Sequence, residues 1–499
     1  MYVSFGQGFS GNVDVIFNTK SAEEFKSDLI NQSIVRIFPK ITRNTTMTTT
    51  TLVLVLVGFT IVGILLGRMT STKSVDDFAL GGRSMGFFPS LMTLSGTFVS
   101  AVTLMVYTSF VYIYGISAAW IFIGYTIGFL IFIPFALKIY RLGVEHGFFT
   151  LTDYFVFRYG RKTARWVIGT IFVWYVGLLS TQLLVGSNLL NELGGIPVNI
   201  AKVSMLVCVL TYLLVGGFGS VVKTDMFQFM VIFLVLILVS LTLQQGGEVP
   251  EEMYEPFNAG AVNIIAFLLL GVLTPFATQD YWQKVFAMKS EKVVKQSFGV
   301  GAGVNILLTV ALTYVGLIAR AQFPISEGIT NEHAEMMVLR TFTELVPPEF
   351  QIAVLIAFFA AILSTSDTYL FLLSLNVTND LFPNKQESAK EGIQRIRKAL
   401  VVVGVLALLI ALFFQRIEDI VVTFKALGIG ISPVIFYEWA GKHDKQSLVR
   451  ALVVMTIVSL SASLWMMYTA GKIDPAIAFV SIGTSSIVYG VSYALRKKA

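Results

Sequence analysis

Runs of about twenty apolar residues recur along this chain between short polar segments, and that recurrence leaves few folds open. A helix of that length spans the hydrocarbon core of a bilayer, and in lipid only helices and closed barrels satisfy their own backbone polar groups. Thirteen runs are expected, at 51–68, 86–113, 117–140, 166–190, 199–217, 225–245, 261–282, 297–321, 350–380, 398–414, 417–437, 449–469 and 473–494. The chain is 55% hydrophobic and 13% charged, with a mean hydropathy of +0.76. A soluble protein carries about a quarter charged residues. The expected fold class is therefore an all-α polytopic membrane protein, and a soluble enzyme is excluded. The runs at 86–113 and 350–380 exceed one crossing, which predicts breaks or tilt.

Lys and Arg gather in alternate loops. Placing 141–165 in the cytoplasm collects roughly three and a half times as many of them in the cytoplasmic set as in the opposite one, the bias that orients membrane helices. The expected topology puts the N-terminus outside and the Arg496-Lys497-Lys498 end inside the cell membrane. The net charge of +6 is spread over short loops rather than one face, so the lipid bilayer and not nucleic acid is the expected partner. Oligomeric state is left open. A lone Cys208 and the scattered His146, His333 and His443 exclude a disulfide framework and a histidine zinc cluster. Phosphate-cradling glycine loops and catalytic elbows are absent, so neither catalysis nor an organic cofactor is expected. Residues 1–50 lack the features of a signal peptide and are expected to form a poorly ordered polar extension, with Met47 open as a start site.

Ionisable residues at membrane depth are costly and mark function or helix pairing. The candidates are Asp225 and Asp280 near span ends, where water at the interface is the competing reading, and Asp367 and Lys425 deeper. In Ala361 to Thr368, the residues Ser364, Asp367 and Thr368 fall at i, i+3 and i+4 on one helix face, with Thr365 beside them. Such oxygens suit a hard cation, and equally suit bonds to helix carbonyls within a bundle. Ser95-Gly96-Thr97-Phe98-Val99-Ser100 predicts an opened turn in the second span. Gly271 and Thr274-Pro275 predict another break in the seventh. The two breaks are five spans apart. They define inverted halves at 86–245 and 261–437, with 51–68 before them and 449–494 after, and paired broken helices of this kind point to a midplane transport site.

At these residues the chain resembles the sodium/solute symporter family. The similarity runs over roughly 50–470, through Phe78 to Gly86, Gly216-Gly217-Phe218 with Thr224-Asp225, Gln283 with Ala287 to Ser290, and Ala361 to Thr368. The resemblance implies a LeuT-like fold of five plus five inverted helices and sodium as coupling ion. It implies a main sodium site from Gly96, Val99, Ala361, Ser364 and Thr365, and in some members a second cation site, here Asp225, Asp367 and Thr368 with Ser364. Asp367 departs from the usual hydroxyl. Phe98, Ser100, Thr103, Thr278, Gln279 and Lys425 are the implied solute-binding candidates. Lys425 favours an anionic solute such as a monocarboxylate or amino acid, unless it pairs with Asp367. The expected function is sodium-coupled import of a small organic solute by alternating access. A proton-coupled carrier and a transporter-derived sensor are the alternatives, and the sensor is disfavoured because no signalling domain is expected after the last span. A channel would need a pore or charge ring that nothing in the chain repeats.

Overall fold

The computed structural model describes residues 49–498 apart from 71–72, 101, 244–246, 326–330, 383–387, 414–416, 471–472 and 474–475, so the expected N-terminal extension lies outside the described residues except for its last two positions. Eighteen α-helices follow in order among the described residues. The first nine are α1 Thr49–Arg68, α2 Val75–Leu80, α3 Phe87–Phe98, α4 Thr108–Tyr114, α5 Trp120–His146, α6 Leu151–Tyr159, α7 Arg161–Gly194, α8 Val198–Thr242 and α9 Gly260–Ala277. The rest are α10 Gln279–Ala287, α11 Glu291–Gln322, α12 Asn331–Glu344, α13 Gln351–Leu375, α14 Ala389–Phe413, α15 Ile417–Ile429, α16 Ser432–Trp439, α17 Lys445–Ala470 and α18 Ile477–Lys498. Among the described residues the β-structure is one isolated bridge, Met85 to Met288.

Nine stretches among the described residues are long and apolar enough to cross a membrane, fewer than the thirteen separate spans expected. Two of them, Thr103–His146 and Val198–Thr242, run to 44 and 45 residues; the first contains the end of the expected span 86–113 and all of 117–140, and the second contains 199–217 and most of 225–245. In the first, a 3-10 turn at Gly115–Ala119 joins the pair. In the second, Gly217 kinks the helix at φ 58 and ψ −147, a conformation essentially reserved for glycine. A Cβ there would stand 2.7 Å from the Phe78 carbonyl oxygen, so α2 can press against the kink only because the side chain is missing.

Both expected helix breaks are present. α3 ends at Phe98, and Thr103–Tyr107 resumes as a π-helical turn. α9 ends at Ala277 and α10 begins at Gln279, with Thr278 extended between them at φ −75 and ψ 117. This break lies beyond Gly271, whose role is different. A Cβ at Gly271 would meet the Ile121 carbonyl oxygen at 2.2 Å, so this glycine lets α9 pack directly on α5, as small residues do between membrane helices. The Met85 to Met288 bridge ties the start of α3 to the end of α10, through Met85 N–H to Ala287 O (3.1 Å) and Lys289 N–H to Met85 O (3.0 Å).

At one end of the bundle the short α6 is clamped on two sides. Its Thr152 hydroxyl donates to Asp380, just past α13. Glu438 of α16 accepts hydrogen bonds from Tyr159 (2.6 Å) and from Arg158 and His443. Its carboxylate is fully buried.

Candidate functional site

The break after α3 and the middle of α13 meet in the interior. Helix α3 loses its regular i+4 donors in its last turn. There the Val99 N–H bonds Ser95 O (3.2 Å), and the Thr103 hydroxyl donates to Phe98 O (2.8 Å). Gly96 lies in that turn, and a Cβ built on it would sit 3.8 Å from both Ser364 Oγ and the Asp225 carbonyl oxygen. With Phe229 Cβ at 3.6 Å from the same point, Gly96 faces the junction of α8 and α13. Val99, Ala361, Ser364 and Thr365 are all buried. The Thr365 hydroxyl donates to Ala361 O (3.1 Å), and the Ser364 hydroxyl donates to Asp225 Oδ1 (2.5 Å). Each hydroxyl spends its hydrogen on an acceptor already in place and keeps its lone pairs. Together with backbone carbonyls this donor set fits a sodium ion, a hard cation that takes oxygen ligands.

Asp225 and Asp280 do not stand in interfacial water. They are 0% and 1% exposed. Besides Ser364, Asp225 receives the Thr93 hydroxyl on Oδ2, and Lys284 Nζ lies 3.6 Å from the same oxygen. Lys284 is itself fully buried and bonds Thr93 O (3.0 Å) and the Thr97 hydroxyl. Asp367, one helical turn along α13 from Ser364, accepts from Tyr212 (2.9 Å) and has the Thr224 hydroxyl at 3.3 Å, all on Oδ2. Its Oδ1 and the Thr368 hydroxyl are buried without hydrogen-bond partners.

Beside the break lies a cavity of about 130 Å³, roughly ten times the ~10–15 Å³ that one water needs. Phe98, Ser100, Thr103, Thr278 and Lys425 line it. Gln279 does not: it is fully buried and its Oε1 accepts from Asn376 (3.1 Å). Lys425 is not paired with Asp367, whose hydrogen-bonding partners are Tyr212 and Thr224. The same wall carries Asp280, held by the Tyr175 hydroxyl at 2.7 Å, with Trp174 and Gln182 nearby. The cavity thus presents one cationic and one anionic side chain in a mostly apolar lining.

Sequence reasoning passed over Lys284, Thr93, Tyr212 and Asp280's place in the cavity wall. Lys284 follows the seventh apolar run by two residues and reads as a loop cation. The signal for its burial is that apolar Tyr281, Trp282, Val285 and Phe286 surround it in sequence.

The sodium:solute symporter family model matches residues 78–439. The sodium/proline symporter of Escherichia coli (strain K12) is 26% identical over 455 residues, covering 85% of this chain and 89% of that protein. The sodium/pantothenate symporter of the same organism is 23% identical over 435 residues, covering 80% and 87%. A solved structure of a Na+-coupled sialic acid symporter, substrate-bound and outward-open, superposes with a TM-score of 0.70 at 16% identity, over 89% of this chain and 97% of that one.

Proposed function

Because the chain belongs to the sodium:solute symporter family, we propose that it imports a small carboxylate-bearing solute with sodium, and that a zwitterionic amino acid is the solute class its cavity suits best. The observation that carries this reading is the Lys425 ammonium in the cavity wall, away from Asp367 and opposite in sign to Asp280. A carboxylate drawn to Lys425 and an amino group drawn to Asp280 would each find a charge partner in a low-dielectric space. Proline, pantothenate and sialic acid, the solutes in the relatives' names, are all carboxylic acids.

Gly96, Val99, Ala361, Ser364 and Thr365 are the proposed ligands of the main sodium ion, which would bridge the broken α3 to α13. The proposed organisation keeps the halves at 86–245 and 261–437 and the N-terminus outside. Phe98, Ser100 and Thr103 belong to the same broken segment and line the cavity, so an ion that fixes the break also shapes the solute site. Coupling is then reciprocal: sodium strengthens solute binding, and solute strengthens sodium binding by the same factor.

The test is uptake of labelled amino acids, organic acids and sugars into proteoliposomes, under an imposed sodium gradient and then a potassium one. Sodium-dependent accumulation of an amino acid is expected. Lys425→Met should weaken solute affinity tenfold or more without altering sodium binding. Equal uptake with potassium, or wild-type affinity in the variant, would overturn the reading. Sodium binding without accumulation of any solute would favour the sensor.

A further inference from the structure

We propose that the cavity selects an amino acid whose nitrogen is methylated, up to a quaternary ammonium, over one with a primary amine, by setting aromatic rings around that nitrogen beside Asp280. The inference rests on the amino-acid reading above and concerns the substituents that the solute nitrogen carries.

Tyrosines from α5, α7, α10 and α13 surround Asp280. Tyr125, Tyr281 and Tyr369 line the cavity with it, and all three are close enough to interact electrostatically with its carboxylate and with one another. Tyr175 donates its hydroxyl to Asp280 Oδ1 at 2.7 Å, and its ring meets that of Tyr369 edge to face with centroids 5.1 Å apart. Further rings back these: Phe98 packs on Tyr125 at 5.2 Å and Phe129 on Tyr281 at 5.3 Å. Trp174 carries the aromatic wall toward Lys425. Its indole meets the Tyr175 ring at 4.8 Å and presses on Gly428, where a Cβ would stand 2.1 Å from it, one helical turn past Lys425.

Around Asp280 the cavity is therefore rich in rings, and the carboxylate there has already given Oδ1 to Tyr175. A primary ammonium brings three N–H donors, and each one left without an acceptor in a buried site costs free energy. A methylated nitrogen keeps the positive charge and sheds donors. Its methyl groups and charge are drawn to the faces of Tyr and Trp rings, the attraction by which aromatic cages hold quaternary ammonium groups. Asp280 supplies the counter-charge, and Lys425 stays free for the carboxylate at the other end.

The experiment measures sodium-driven uptake of radiolabelled glycine, N-methylglycine, N,N-dimethylglycine and N,N,N-trimethylglycine into proteoliposomes holding the full-length protein. These probes share one carboxylate and differ only at nitrogen, so the Lys425 end is held constant. The half-saturating concentration should fall about tenfold or more from glycine to the trimethyl compound. Tyr369→Leu should erase most of that difference, whereas Tyr369→Phe, which keeps the ring, should preserve it. Wild-type protein carries the decisive comparison, so a variant that fails to fold leaves the test standing. Glycine handled as well as the trimethyl compound, or a preference untouched in Tyr369→Leu, would overturn the proposal. Uptake of other carboxylates with none of these four overturns it as well and leaves the carboxylate reading intact, while no sodium-driven uptake of any solute sinks both.

Discussion

A hydroxyl serves an ion only when its hydrogen is pointed elsewhere, and that condition is met at Ser364 and Thr365 by different acceptors. Thr365 uses its own helix, through Ala361 O, whereas Ser364 uses a carboxylate from α8. Thr365→Ala should therefore raise the sodium concentration for half-maximal uptake about tenfold, the equivalent of roughly 1.4 kcal/mol for one lost polar contact. Tryptophan fluorescence titrated with sodium checks this separately from transport. Unchanged sodium dependence would remove Thr365 from the site. The i, i+3, i+4 spacing made Ser364, Asp367 and Thr368 legible in the sequence, because a helix places them on one face whatever surrounds it. Lys284 was not legible in that way. Its pairing with Asp225 joins α10 to α8 across nearly sixty positions, and no local pattern encodes such a contact.

Helix breaks depend on both composition and neighbours. Pro275 removes a donor inside α9, yet the chain opens only at Thr278, where the Trp282 indole N–H reaches back to Phe276 O at 3.0 Å. The indole supplies a bond that the interrupted helix cannot. Trp282→Phe should keep the ring packing but strand that carbonyl, lowering stability by about 1–3 kcal/mol. A lower unfolding temperature in detergent, with a main sodium site of unchanged stoichiometry, is the expected result; an unaltered melting curve would show that the indole bond carries no weight. Proline and adjacent polar residues announced this break. Gly271 misled, because a glycine that permits close helix packing looks in sequence like one that permits an open turn. The kink at Gly217 likewise escaped notice. The sequence there reads as the end of one span and the start of another, and the structure has two helical segments that meet at Gly217 without the loop expected between them.

Across the whole molecule, the clamp on α6 ties two ends together: Asp380 beyond the helix of the proposed sodium ligands, and Glu438 beyond the segment that bears Lys425. Burial pushes the Glu438 carboxyl up, but hydrogen bonds from Tyr159, His443 and Arg158 outweigh it and hold the group below the ordinary carboxylate value. A depressed value means that the contact stabilises the fold fully above the ordinary Glu pKa of about 4.3, and that this contribution fades as pH falls further through the native value. Comparing melting temperatures of wild type and Glu438→Gln should give a constant difference between about pH 8 and pH 6 that shrinks in stronger acid; a difference that already closes near pH 7 would contradict this. The apolar runs made the membrane class and the transport fold readable, while the clamp depends on residues some 280 positions apart and stayed hidden.

The bridge between Met85 and Met288 has one further consequence, for mechanics. Its two backbone hydrogen bonds give the start of α3 and the end of α10 one anchor point in common, so neither broken helix can slide along its axis there without carrying the other with it.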